Sequence, residues 1–292
     1  MIELLAKAVF TSILILHLFS CTKKTIQNKP SNAPFPLHLE FERSIELGFE
    51  QFLPEKITTD VKGNTYIVGN RRRLIVIKHN GVVGEINIET IYPCEITNIG
   101  TDGFDIFLLD RMNNKIWTVT REVIGKKGFS LGAQPLLFAV SKKRFFAILY
   151  YNKSELTLYS RNEKVAGGVA LELDLQDRES GTLLFQNNIL YFASRENDKV
   201  SMYFLYNPSQ TSKIVIQSPT SLALDNWQNL FIASSKGIQC MRNGIIKKDL
   251  LLQESQGTEL SLFKDRLILL NPNNKRIDVY KIVYSSADPN TP

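Results

Sequence analysis

One pattern recurs along this chain at intervals of about forty residues, and repetition on that scale restricts the architecture more than any composition or motif can. The segments "ITTDVKGNTYIVGNRRRLIVIKHNGVVGEINI" from Ile57, "ITNIGTDGFDIFLLDRMNNKIWTVTREVI" from Ile96 and "TSLALDNWQNLFIASSKGIQCMRNGIIKKDLLL" from Thr220 share one layout. A short strand ends near an aspartate (Asp60, Asp102, Asp225), a turn holding Gly or Asn follows, and a strongly apolar strand comes next. A polar loop then leads to a third strand and a weaker fourth. Units beginning at Pro135, Thr182 and Thr258 follow the same scheme less tidily. Six units of about 40 residues match the length of a four-stranded propeller blade. Windows of helical period are nearly absent after residue 20, so the chain reads as all-β.

The last unit lacks a strand, because "RIDVYKIVY" runs directly into the polar "SSADPNTP". The segment "PLHLEFERSIEL", Pro36 to Leu47, precedes the first unit and alternates apolar with polar residues, so it predicts the missing fourth strand. Pairing the two ends in this way removes the exposed edges of an open array. The expected fold is a six-bladed β-propeller of four-stranded blades over residues 36–284, closed by an N-terminal strand, with 285–292 a disordered tail.

The phrases "DVKGNTYIVGNRRRLIVI" and "LALDNWQNLFIASSKGIQCM" resemble NHL-type repeats, in which an Asp, a Gly-Asn turn and an aromatic-led strand precede a basic or polar loop. The resemblance covers the first, second and fifth units and implies a fold, not an activity. Asp60, Gly63 and Asn64 are turn formers, and the physical expectation for them is satisfied turn amides.

Ala8 to Phe19, "AVFTSILILHLF", is apolar over about 12 residues, short of the roughly 20 a membrane-spanning helix needs. With Lys7 before it and small Ser20 after it, the stretch suits the h-region of a signal peptide. Leu18-Phe19-Ser20-Cys21 resembles the lipobox of bacterial lipoproteins. That resemblance implies a signal peptide over 1–20, cleavage before Cys21, acylation of Cys21 with palmitate or a similar chain, and a membrane anchor in the cell envelope. It leaves open which membrane, inner or outer, and which side. An ordinary signal peptide or a short buried helix is the alternative. Residues 21–35 then form the lipidated Cys and a flexible tether, since "TKKTIQNKPSNAPFP" cannot bury apolar surface.

An exported chain meets no cytosolic nucleic acid, which changes the meaning of its net charge of +6. Loss of residues 1–20 removes Glu3 and Lys7 together and leaves that charge unchanged, so it belongs to the folded part. Expected partners are an envelope or extracellular protein of acidic character, lipid or polysaccharide. Cys94 and Cys240 fall in distant units and are expected as free thiols.

Catalytic groups are scarce. His38 and His79 are the histidines left after residue 20, and no G-x-S-x-G, H-E-x-x-H, P-loop or C-x-x-C pattern occurs. No cofactor is implied. The alternative enzymatic reading is a calcium-dependent lactonase of the SMP-30 kind, a six-bladed family with hard oxygen ligands converging on a metal. Glu55, in the wrong order within "LPEK", with Asn98 and Asp225, is the nearest approach to that set. A purely structural envelope component is a third reading.

The loops joining second to third strands carry more information. They read "NRRR", "DRMNNK", "YYNKS", "RENDK", "SSKG" and "NPNNKR", each with a cation, while the blade-to-blade connections on the same face bring acids such as Glu50, Glu55 and Glu95. The candidate binding residues are Arg71, Arg72, Arg73, Arg111, Lys115, Arg195, Lys236 and Arg276, with the arginine triple foremost because a guanidinium pairs bidentately with carboxylate or phosphate. Most aromatic residues lie in apolar strands; Phe49, Phe52, Tyr92 and Trp227 fall in connections and turns and are the candidates for exposure. The function read from this is a binding or scaffolding module on a lipid anchor.

Overall fold

The computed structural model describes residues 33–88, 91–125, 128–132, 134–152, 155–160, 163–170, 181–205, 207, 210–242, 245–251 and 259–285. Cys21, the signal peptide, most of the tether and the tail after Ser285 lie outside the described residues. β1 (Pro36–Glu46) precedes six strand groups. Blade I holds β2 (Pro54–Thr59), β3 (Thr65–Gly69), β4 (Arg73–Ile77) and β5 (Val83–Ile86). Blade II holds β6 (Ile96–Thr101), β7 (Ile106–Asp110), β8 (Lys115–Thr120) and two short pieces, β9 (Val123–Ile124) and β10 (Phe129–Ser130), which share the fourth position beside β8. Blade III comprises β11 (Pro135–Val140), β12 (Phe145–Tyr150), β13 (Glu155–Ser160) and β14 (Glu163–Ala170). Blade IV comprises β15 (Thr182–Gln186), β16 (Ile189–Ser194), β17 (Lys199–Phe204) and β18 (Thr211–Val215). Blade V comprises β19 (Ser221–Leu224), β20 (Leu230–Ser234), β21 (Gly237–Arg242) and β22 (Ile245–Leu251). Blade VI comprises β23 (Glu259–Phe263), β24 (Arg266–Asn271) and β25 (Arg276–Tyr284), and β1 completes it in the order β1-β25-β24-β23.

The chain is thus a six-bladed propeller. The innermost strands β2, β6, β11, β15, β19 and β23 each touch their two neighbours around a central channel. Every blade is antiparallel, so its first-to-second and third-to-fourth turns lie on one face of the ring. Second-to-third loops and blade-to-blade connections lie on the other, here called the arginine face.

Packing explains why the second strands read as unbroken apolar runs. A blade is covered on both sides by its neighbours, so both sets of alternating side chains are buried. Ile67 and Ile75 point into the cluster between blades VI and I, while Tyr66, Val68, Leu74 and Val76 point into the cluster between I and II. Equivalent clusters fill the remaining junctions, II with III, III with IV, IV with V, and V with VI. The outermost strands are covered on one side at most, and β18 alternates exposed with half-buried residues.

The turn aspartates do what Asp, Asn and Gly do in turns. Asp60 Oδ1 accepts from the Lys62 and Asn64 amides at 2.9 Å each, and Oδ2 from Asn64 Nδ2 at 2.9 Å. Asp225 accepts from the Trp227 and Asn229 amides at 2.7 and 2.8 Å, and from the Tyr284 hydroxyl at 3.0 Å, which ties blade V to the closing blade. Closure itself runs from Pro36 opposite Tyr284 to Glu46 opposite Arg276, with two register shifts on the way. Ser285 N donates to Phe35 O at 2.8 Å just beyond the strand pair.

Candidate binding face and channel mouth

At the junction of blades I and II the arginine face is organised by a fully buried carboxylate. Asp110, at the end of β7, has no solvent exposure. Its Oδ1 accepts from the Glu95 amide at 3.1 Å and the Asn113 amide at 3.2 Å; Oδ2 accepts from Asn113 Nδ2 at 2.7 Å and Trp117 Nε1 at 3.0 Å. Asn113 Nδ2 also donates to Pro93 O at 2.7 Å, Arg111 N donates to Glu95 O at 2.9 Å, and Ile96 N donates to Arg71 O at 2.7 Å. The 70–72 loop, the 91–95 connection and the 111–114 loop are therefore knitted into one surface.

On that surface Arg71 pairs with Glu95 at 2.5 Å. The Arg72 guanidinium lies 6.0 Å from the centre of the Tyr92 ring, at the limit of a cation–π contact. Tyr92 is 64% exposed and Met112 51% exposed, and Arg72 and Arg111 are exposed beside them. Among the described residues neither Arg72 nor Arg111 has a carboxylate partner within an ion-pair distance. Burial pushes the Glu55 carboxyl up from its ordinary value, with neighbouring Arg71 and Lys56 pulling it back.

The other cations are placed differently. Arg73 is the first residue of β4; it forks onto Glu85 with both bonds at 2.8 Å and lies over the rings of Phe49 and Phe52 at 5.4 and 5.5 Å. That partner holds the Glu85 carboxyl below its ordinary value. Lys115 sits 5.2 Å from the Trp117 ring and Arg276 bonds Asp278 at 3.2 Å. Arg195 and Lys236 are exposed in the corresponding loops of blades IV and V. Of the aromatic candidates, Tyr92 and Trp227 are exposed, Phe49 is half-buried, and Phe52 overturns the expectation, being fully buried. Phe52 enters the blade VI–I core because Gly69 has no side chain: a Cβ there would run into the Phe52 ring and stand 2.5 Å from Leu53 O.

The channel opens beside this junction. It encloses about 350 Å³ between the six inner strands. At its arginine-face mouth Lys56 Nζ meets Glu259 Oε1 at 2.5 Å, and Ser221 Oγ donates to Glu259 Oε2 at 3.2 Å. At the far mouth Lys142 Nζ donates to Asn226 Oδ1 at 3.1 Å, from blade III to blade V. Its middle is apolar, with Ile99, Phe138 and Leu222 among the lining residues. Glu55, Asn98 and Asp225 do not converge. Glu55 lies at the start of an inner strand and Asp225 just past the end of another, at opposite mouths, and the Asp225 carboxylate is occupied by turn amides. Among the described residues no group of three His, Cys, Asp or Glu side chains is close enough to share a metal ion. His38 stands on exposed β1 and His79 packs on Phe263, so neither described histidine lines the channel.

No family model matches the chain, and no curated protein sequence matches it. Solved structures do. Virginiamycin B lyase from Staphylococcus aureus superposes with a TM-score of 0.61 at 14% identity, over 84% of this chain and 100% of that one. An auxiliary nutrient binding protein from Bacteroides thetaiotaomicron gives 0.59 at 11% identity over 79% and 69%. A chain of a nidogen/laminin complex gives 0.55 at 13% identity over 68% and 79%. At such identities the likeness concerns the fold, and the fold serves a lyase and binding proteins alike.

Proposed function

We propose that this protein is a lipid-anchored envelope lipoprotein whose propeller binds an acidic protein segment on the arginine face at the junction of blades I and II. The observation that carries the reading is the exposed set Arg71, Arg72, Arg111, Tyr92 and Met112, held rigid from beneath by Asp110. Aromatic, Met and Arg side chains are the types enriched where proteins meet, and guanidinium groups without carboxylate partners are suited to an incoming carboxylate. That structural neighbours include a nutrient binding protein and a nidogen/laminin complex supports binding as a use of this fold. The anchor reading rests on the lipobox-like residues 18–21.

A fluorescent glutamate-rich peptide, followed by anisotropy against the full chain in detergent, tests the face. Each of Arg72→Ala and Arg111→Ala is expected to weaken binding by roughly tenfold, the size of one charge-assisted hydrogen bond, with unchanged melting. Equal affinity in both variants would rule this face out.

A further inference from the structure

The chain enters the ring on the face opposite the arginines. β1 starts at Pro36, beside Tyr284 at the end of β25. Ahead of it the Arg242 guanidinium donates to Ala33 O at 2.7 Å and to Pro34 O, and Asn229 Nδ2 donates to Pro34 O at 3.3 Å. Arg242 closes β21 and Asn229 precedes β20, so residues 33–35 are pinned to turns of blade V on that side. Residues 22–32 separate this point from Cys21 in sequence. Such a length spans at most about 40 Å when fully extended.

The same face carries exposed apolar side chains set among lysines. Phe104 is 75% exposed and Val61 50%, their turns joined by Val61 N donating to Gly103 O at 2.8 Å. Trp227, 41% exposed, lies across the channel mouth in the matching turn of blade V. Lys62, Lys142 and Lys143 are exposed in turns of the same face. The aspartates of these turns lie beneath that surface: Asp60, Asp102 and Asp225 are buried under backbone amides, and Asp102 also meets Arg144. Glu122, an acid exposed there, is paired with Lys78 at 3.2 Å. Aromatic and apolar side chains interleaved with lysines match the interface of an anionic bilayer, where apolar groups enter the headgroup layer and cations meet lipid phosphate.

We propose that this face docks on an anionic phospholipid bilayer, with Phe104, Val61 and Trp227 in the headgroup layer and Lys62, Lys142 and Lys143 on lipid phosphate. The inference rests on anchoring at Cys21 and adds an orientation to it: the ring lies against the membrane and the arginine face looks outward.

The protein expressed in bacteria from the full sequence, purified as the cell processes it, is mixed with phosphatidylglycerol/phosphatidylcholine vesicles with brominated acyl chains, and tryptophan emission is recorded. Trp117 is buried in the blade I–II core with its Nε1 on Asp110, towards the arginine face, so Trp227 is the tryptophan within reach of bromine. The expected result is quenching that is lost in Trp227→Phe and reduced in Phe104→Ser and in Lys142→Glu/Lys143→Glu. Thermal melts check that these variants of exposed residues remain folded. Protein that sediments with vesicles but is not quenched overturns the docking face and leaves the anchor intact. Protein that stays in the supernatant overturns both.

Discussion

Arg71 occupies the left-handed backbone region, with φ at 56°, directly after Asn70 at 51°. Asn visits this region readily, but a long branched-charge side chain gains nothing from it, and glycine is the residue such a position favours. Arg71→Gly is therefore expected to melt no lower than the parent while losing affinity for the acidic peptide; a clear drop in melting temperature would show that the Glu95 pair holds the loop. Exposed pairs of this kind contribute about 0–1 kcal/mol, which is why the parent side chain is dispensable for stability. The arginine triple was visible in the sequence, yet its members differ in use. Arg71 and Arg72 belong to the turn, whereas Arg73 begins β4 and its side chain forks onto Glu85 of the neighbouring strand. Nothing in the string "NRRR" tells where the turn ends. Asp110 was equally hidden, because its importance lies in four donors gathered from residues 95, 113 and 117.

Elements were more legible than residues, for a physical reason. A strand covered on both sides must be apolar at consecutive positions, so "TYIVG" and "IFLLD" announce themselves, and the Asp-containing turn before each fixes its start. The closing strand was legible from the missing partner of β25. Blade II departs from the expectation of one fourth strand, since β9 and β10 divide that edge. Gly128, just before β10, lies against Trp117, where a Cβ would stand 3.1 Å from the ring. The burial of Phe52 was not legible, because it depends on the absent side chain of Gly69 in another element. The account makes a clear prediction for β1: a chain lacking residues 36–46 leaves β25 as an unpaired edge and opens the blade V–VI and VI–I junctions. It is expected to aggregate or unfold without a cooperative transition. A truncated chain that stays monomeric and melts cooperatively would contradict ring closure by this strand.

At the scale of the molecule, burial of ionisable groups sets how stability responds to alkali. Burial pushes the Cys94 thiol up to about 11 and Cys240 to about 12, from an ordinary 9.0. It likewise raises Tyr66 and Tyr191 to about 12, from 10.0, with Asp60 adding to the shift at Tyr66. These groups are neutral when protonated and hold their protons more tightly in the fold. Their stabilising contribution is complete below the unfolded values and is lost as pH rises through 9 towards the folded values. The denaturant midpoint is expected to fall between about pH 8 and about pH 10.5, and the part that sets in near 9 is expected to shrink in a Cys94→Ala/Cys240→Ala protein. A midpoint that is flat over this range would contradict the burial.

The two proposals assign the faces of the ring separate tasks: the N-terminal end enters beside Trp227 on the face that also carries Phe104 and Val61, while Arg72, Arg111 and Tyr92 lie on the other side. The most direct measurement of that division is photo-crosslinking in cells from a reactive side chain placed at Met112 on the arginine face or at Phe104 on the opposite one. The account predicts a discrete protein adduct from position 112 that disappears in Arg72→Ala/Arg111→Ala, and no such adduct from position 104. An adduct that persists in the arginine variant, or forms equally from both faces, would contradict it.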